Sequence, residues 1–359
     1  MGHSPLQLDS YRLLGRSGLR VSPLALGTMT FGGEWGWGAE EDEARRIFDA
    51  YVDRGGNFVD TANAYTNGSS ERLLGQFAQG KRDRLVISTK FTMSMHPGDP
   101  NAGGNHRKSM MRSVTESLQR LRTDYIDLLY LHMWDGTTPV EEVLRGMDDL
   151  VRQGKVLYLG VSDIPAWQVS RMQAIADLRG SASIIALQSE YNLIERTPER
   201  DLIPMAREMG MGVVPWSPLA NGILAGKYKR DDLQPPVDPA SVVGTRKSVA
   251  AGYGSLNERA LDIADVVVAI ATECGYSAAQ VALAWTLRNP GVASTLVGAR
   301  RLVQLEDNLD ALAVELSDAQ WARLADASAI ALGFPHEMLR SQMIRHAITG
   351  GTQLPVRAW

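Results

Sequence analysis

The chain carries a single cysteine, Cys274, in 359 residues, so no internal disulfide holds it together, as expected of a protein in a reducing compartment. Its longest apolar runs, such as ADVVVAIA around residue 267, fall well short of the roughly 20 residues a membrane-spanning helix needs. Basic runs are missing too, and a net charge of -4 leaves no electrostatic footprint for nucleic acid or an anionic membrane. Near the C-terminus the histidines His336 and His346 lack metal-ligand spacing, so no metal site is expected. A charged-then-apolar leader is absent from the N-terminus. These absences together favour a cytoplasmic protein whose partners are small molecules, with no nucleic acid and no membrane. The oligomeric state, a homo-oligomer included, is not fixed by them.

What is present is an ordinary globular composition, 44% hydrophobic and 22% charged, with enough apolar side chains for a large core. Apolar strand-like runs alternate with amphipathic helical runs, the sequence form of a parallel sheet with crossover helices. Eight strands are expected at Leu24–Gly27, Asn57–Asp60, Leu85–Lys90, Tyr125–Leu131, Val156–Val161, Ile184–Gln188, Gly212–Trp216 and Ala293–Val297. In EDEARRIFDAYVDRGG, Ala44, Ile47, Phe48, Tyr51 and Val52 recur at helical spacing and Gly55 supplies a left-handed stop. PVEEVLRGMDDLVRQGK repeats the design, with Val140, Val143, Leu144, Met147, Leu150 and Val151 on one stripe and Gly154 at its end. Further helices are expected at Lys108–Arg122, Pro165–Leu178, Glu199–Met209 and Ser277–Arg288.

Eight strands separated by helices favour a closed (β/α)8 TIM barrel over an open doubly wound sheet, and no GxGxxG follows the first strand. One domain over residues 1–359 is expected. Outside the repeat, residues 11–21 read as a β-hairpin plugging one barrel end. Residues 221–255, rich in Gly, Pro, Asp and Lys, read as a long loop after strand seven, and residues 329–359 as a C-terminal extension.

Three of these strands end on reactive residues: Asp60 in FVDTANAY, Lys90 in LVISTK and His132 just past YIDLLYL. Tyr65 follows Asp60 in the next loop. Barrel enzymes collect their chemistry at strand C-termini, so a carboxylate, an ammonium, an imidazole and a phenol are expected in one water-poor pocket. That set suits proton-coupled hydride chemistry. A phenol holds its proton to a pKa of about 10 in water, so Lys90, oriented by Asp60, is expected to pull it down. His132 either polarises a substrate carbonyl or joins a proton relay with Tyr65. Met29, Phe31, Trp35, Trp37, Met93 and Trp134 fall in rim loops where, with Tyr65 and His132, they can line an apolar substrate pocket.

DTANAY, STK, LHMWD, GVSD, LQSEYNL, PWSPLANGILAGKY and GARRLVQLEDNL, in this order from Gly27 to about Asn308, resemble the aldo-keto reductase superfamily. The likeness leans to the bacterial, aryl-alcohol-dehydrogenase-like branch that also resembles potassium-channel β subunits. It implies a barrel enzyme reducing aldehydes or ketones with NADPH in preference to NADH, and the tetrad Asp60, Tyr65, Lys90 and His132. Tyr65 is then the general acid. The resemblance places Ser162, Asp163 and Gln188 at the nicotinamide carboxamide and Trp216 against its ring. Ser217, Pro218, Leu219, Gly222, Leu224 and Lys227 fall on the segment covering the pyrophosphate. Gly27, Thr28 and Met29, with Asp60, fall on the cofactor side of the first strands, and Gly298, Arg300, Gln304, Asp307 and Asn308 lie around the adenosine, where Arg300 or Arg301 can grip a 2′-phosphate.

In one place the chain departs from the resemblance: Asp163 stands where many members carry Asn. An ionised carboxylate beside the nicotinamide favours the positively charged oxidised ring, so Asp163→Asn is expected to weaken NADP⁺ more than NADPH. Two other readings stand beside the reductase. One is NADP-dependent oxidation of a secondary alcohol or sugar hydroxyl, and the other a slow cofactor-binding regulatory subunit.

Overall fold

The computed structural model describes residues 6–234, 245–252 and 254–352. Strands β1 (Arg12–Leu13) and β2 (Arg20–Val21) form an antiparallel hairpin. Then β3 (Leu24–Gly27), β4 (Phe58–Asp60), β5 (Val86–Phe91), β6 (Ile126–Leu131), β7 (Val156–Ser162), β8 (Ile184–Glu190), β9 (Gly212–Trp216) and β10 (Thr295–Gly298) build one parallel sheet. It runs in the order β10-β3-β4-β5-β6-β7-β8-β9. Val213 on β9 bridges Val292, and Ala293 N donates to Val213 O at 2.9 Å, which brings the sheet's two ends together. The result is the expected (β/α)8 barrel.

Helices α1 (Glu41–Asp53), α2 (Ser69–Phe77), α3 (Arg107–Leu121), α4 (Val140–Arg152), α5 (Ala166–Arg179) and α6 (Leu202–Glu208) alternate with strands β3 to β9. Between β9 and β10 lie α7 (Arg246–Gly252), α8 (Glu258–Cys274) and α9 (Ala278–Arg288), and after β10 come α10 (Leu302–Leu309), α11 (Asp318–Ala327), α12 (His336–Arg340) and α13 (Gln342–Thr349). No single helix among the described residues is long and apolar enough to cross a membrane. Strands such as IDLLYL on β6 are buried throughout because barrel interior and helical ring cover both faces. The apolar stripes of α1 and α4 are the buried ones expected, except that Val151 is only half-buried.

The hairpin seals the end of the barrel where the strands begin. Leu14 is fully buried, and Gly15, at φ +58, has no room for a side chain: a Cβ would lie 2.3 Å from Ile185 O. Only glycine tolerates both that φ and that approach.

The sequence reading names no helix at α2, α7, α8, α10 or α11, and two of these segments show why. Helix α2 was not anticipated; its Gly75 has α3 so close that a Cβ would lie 2.6 Å from Arg120 O, and that packing outweighs the low helix propensity of glycine. Residues 221–255 are not all loop. They carry 3-10 turns over Ala220–Ala225 and Arg230–Leu233 and then α7, which buries Ala250 in a second core cluster, separate from the main one, with Leu193, Ile223, Leu224 and the buried face of α8; residues 235–244 and 253 of that stretch lie outside the described residues. In the C-terminal extension neither α12 nor α13 buries a residue, and Arg200 ties the segment back by donating to Ala331 O at 2.7 Å.

Candidate active site

The parallel register brings the strand ends to one level: Asp60 on β4 faces Ser88 on β5, and Lys90 on β5 faces Tyr130 on β6. All three protons of the Lys90 ammonium find acceptors there. One goes to Asp60 Oδ2, one to Thr61 O at 2.8 Å and one to Tyr65 Oη at 3.3 Å. Asp60 Oδ1 accepts from Ser88 Oγ at 2.7 Å and from Gln188 Nε2 at 3.1 Å. Lys90 and Asp60 are 1% and 2% exposed, a burial that two charges tolerate only when paired and fully hydrogen-bonded. Because Tyr65 Oη accepts from Lys90, its own proton is left to point elsewhere.

Tyr65 is held from both sides. Immediately after it, Thr66, Asn67 and Gly68 all take left-handed φ values of +45°, +54° and +84°. Thr66 Oγ1 fixes that kink by donating to Phe31 O at 2.7 Å and accepting from Ser70 N at 3.0 Å. On the other side His132 meets the Tyr65 ring edge-on, centroids 5.8 Å apart and planes at 80°.

The electrostatics separate the four groups. Burial pulls the Lys90 ammonium down, but Asp60 and Tyr65 outweigh it and hold the charge above its usual pKa. Burial, helped by Lys90, drives the His132 imidazole down to about 3, so it is neutral at pH 7 and can donate through only one nitrogen. Its Nδ1 is buried without a partner among the described residues. For Tyr65, burial raises the phenol; Lys90 pulls it back, but Asp60 and Asp163 add to the rise, and it stays above its usual value. The expected lowering by Lys90 is thus present and outweighed. The arrangement still suits a proton donor: a neutral phenol whose conjugate base would form beside an ammonium.

Tyr65 and His132 open onto a cavity of roughly 1420 Å³ at the C-terminal rim. Gly27, Met29, Asp60, Ser162, Asp163, Gln188, Trp216, Ser217, Pro218, Leu219, Gly222, Lys227, Gly298, Arg300, Gln304, Asp307 and Asn308 all reach its wall, as do Trp35, Trp37 and Met93. Five expected residues do not, and one of them is Lys90, which is buried off the wall. The Thr28 side chain is buried, donating to Asp60 O at 2.9 Å, and Leu224 is packed into the second core cluster with Ile223 and Val267. Phe31 turns into the main core against Phe77, centroids 6.1 Å apart, and Trp134 is half-buried against the same core. In rim loops, large apolar side chains turn inward wherever the core offers area. Residues missed include Met133, Tyr228, Thr245 and Lys247; Lys247 lies in an aperiodic stretch and is paired with Asp232 at 2.7 Å.

The wall suits a phosphorylated aromatic cofactor. Ser162 Oγ is buried and unpartnered among the described residues. Next to it Asp163, at φ +45, accepts from Trp216 Nε1 at 3.0 Å and so holds the indole in place. Burial keeps the Asp163 carboxyl above its usual range although that bond opposes it. Across the rim, a Cβ at Gly27 or Gly298 would meet only ordinary contacts, leaving bare backbone for a ligand to approach. Arg300 Nη1 donates to Trp37 O at 3.3 Å, and neither Arg300 nor Arg301 is paired with a carboxylate among the described residues.

The profile of the Aldo/keto reductase family matches residues 23–329. The chain belongs to this family. Norsolorinic acid reductase of Aspergillus flavus is 38% identical over 348 residues, covering 93% of this chain and 85% of its own. The NADP(+) aryl-alcohol dehydrogenase of Phanerodontia chrysosporium is 38% identical over 348 residues, covering 92% and 89%. This aldo/keto reductase is therefore an oxidoreductase.

Proposed function

We propose that this aldo/keto reductase uses NADPH to reduce the carbonyl of an aromatic aldehyde or ketone, with Tyr65 as general acid. The observation that carries the reading is the third proton of Lys90: it is spent on Tyr65 Oη at 3.3 Å, which turns the phenol's own proton toward the cavity. The dinucleotide, when bound, supplies hydride to the carbonyl carbon. Tyr65 gives its proton to the carbonyl oxygen, and the phenolate left behind is stabilised by the Lys90 ammonium. Neutral His132, against the Tyr65 ring, donates a hydrogen bond to the same oxygen. Ser162 and Gln188 are assigned to the carboxamide of the cofactor, Trp216 to the face of its ring, and Arg300 with Arg301 to a 2′-phosphate, where planar guanidinium forks suit bidentate contact.

The aromatic class is supported by Trp35 and Trp37, whose rings lie 5.5 Å apart, with Trp35 set 6.3 Å from Tyr65 and edge-on to it, and by the names of the two relatives. The reverse reaction, oxidation of an aryl alcohol, is the second reading. Asp163, a carboxylate on the cofactor side, favours it by attracting the oxidised ring.

The test is consumption of NADPH and NADH by the purified protein against aromatic aldehydes, aliphatic ketones and keto-sugars, with Tyr65→Phe in parallel. Turnover of the aromatic class that needs Tyr65 is expected. Tight NADPH binding without turnover on any class would overturn the reading in favour of a regulatory subunit.

A further inference from the structure

The opposite end of the barrel holds a second cavity, roughly 450 Å³, between the β1–β2 hairpin, the end of α6 and the seam where β9 meets β10. Arg12, Arg16 and Arg207 line it, and among the described residues no aspartate or glutamate does. Two of the three are seated on glycines. A Cβ at Gly210, itself at φ +72, would lie 1.8 Å from Arg16 Cδ, and one at Gly291 would lie 3.1 Å from Arg207 Cγ, so both stems lie flat on bare backbone. Arg12 Nη1 donates to Val292 O at 3.3 Å, the residue that bridges β9.

Two of these arginines, Arg12 and Arg16, stand apart from the chain's paired cations. Arg82, Arg120, Arg196 and Arg230 each pair with a carboxylate. Arg12 and Arg16 have no such partner among the described residues. Burial alone pulls the Arg12 guanidinium below its usual pKa, the mark of a desolvated cation without a counter-charge. Two guanidinium groups beside a concavity, those of Arg12 and Arg16, present rigid forks of donors that match the oxygens of a phosphate.

We propose that the floor cavity is an oxyanion site that takes a phosphate group and clamps the hairpin to the β9–β10 seam. Its size leaves room for inorganic phosphate or for a phosphate monoester. A ligand that binds only the folded chain raises its melting temperature by mass action, and here the gain comes from the barrel's closing seam.

The experiment is thermal melting of the full chain at fixed ionic strength in chloride, inorganic phosphate or glycerol 3-phosphate. It is run in an Arg300→Ala/Arg301→Ala background, so that phosphate held at the active-site rim does not count. Phosphate is expected to raise the midpoint saturably over chloride by several degrees. Arg16→Ala should weaken the apparent affinity about tenfold or more, the usual effect of losing a charge-assisted hydrogen bond. Arg12→Lys, which keeps charge and stem but loses the fork, should weaken it as well. A larger response to the ester assigns an organic phosphate to the cavity, and an equal one assigns the free ion. A midpoint that moves no more in phosphate than in chloride overturns the proposal, as does a shift that both variants keep. Neither result bears on the reductase reading, because the melts are run without cofactor and the proteins compared share the same rim background and differ only at the floor.

Discussion

Asp60 pairs with Lys90 at the rim of the barrel, and Asp127 pairs with Arg82 at its floor; β5 carries or flanks both cations. Both pairs are buried or nearly so. At the floor all three nitrogens of the Arg82 guanidinium meet fixed acceptors: Thr123 Oγ1, Leu85 O and Tyr125 O at 3.1, 3.2 and 2.9 Å, and Asp127 at 2.7 Å. Asp127 also accepts from Ile87 N at 2.9 Å. At the rim the cation is a lysine, a compact point charge, and one of its protons goes to a side chain that faces a cavity. Buried charge is therefore no sign of chemistry by itself. What differs is whether the pair's last partner holds a proton it can give away.

The sharpest way to break this comparison is to remove each cation. Lys90→Met should lower turnover of an aromatic aldehyde by about a thousandfold, the scale of losing general acid catalysis, while the protein still binds NADPH, as read by fluorescence titration. Arg82→Ala should leave turnover per folded molecule nearly unchanged. Its effect falls on stability instead, a loss of about 3 kcal/mol in urea unfolding, as expected when one partner of a buried pair is removed. If Arg82→Ala lost activity at full stability, the division between rim and floor would be wrong.

The same contrast marks what the sequence disclosed. Strand-ending Asp60, Lys90 and His132 are legible because a polar residue closing an apolar run has few purely structural uses, and the eight strands follow from burial on both faces. Asp127 hides inside YIDLLYL, and nothing in the run tells that its third residue meets Arg82. Phe31 and Trp134 fall in pocket-lining loops by sequence yet pack into the core, because sequence places a residue in a loop without fixing which way it turns. Helices α2 and α7 escaped for another reason. They are short, and helices of that length are held by tertiary packing rather than by propensity, here by α3 against Gly75 and by the cluster around Ala250.

Acid should separate the two ends by sign. The His132 imidazole is held down at about 3, whereas the unfolded chain protonates near 6.5. As pH falls below that value the unfolded state takes up a proton that the folded state does not, so the stability contribution of His132 is complete above about 6.5 and is lost on acidification. The slope reaches about 1.4 kcal/mol per pH unit. Asp127 acts oppositely: burial, only partly offset by Arg82, holds its carboxyl above the usual range, so the folded state binds that proton first and the contribution grows as pH falls. Urea unfolding at pH 7.5, 6 and 5 should give a shallower loss for His132→Asn than for the parent chain. Equal slopes would mean that the imidazole protonates freely in the folded protein.

The smallest effect tests whether charge at the rim is tuned as well as placed. Asp163→Asn removes a charge while keeping the volume and an oxygen that can accept from Trp216 Nε1, so the indole should stay where the 3.0 Å bond holds it. At pH 8 the parent carboxylate attracts the oxidised, positively charged ring and is indifferent to the neutral reduced one. The variant should therefore bind NADP⁺ roughly fivefold more weakly, as expected for one unit charge acting at short range in a partly screened site, with NADPH affinity almost unchanged. Titration of both cofactors against the two proteins reads the difference. Equal weakening of both would mean that Asp163 serves only to hold Trp216, and the rim would then differ from the floor in the one proton shared between Lys90 and Tyr65 rather than in the field around the cofactor.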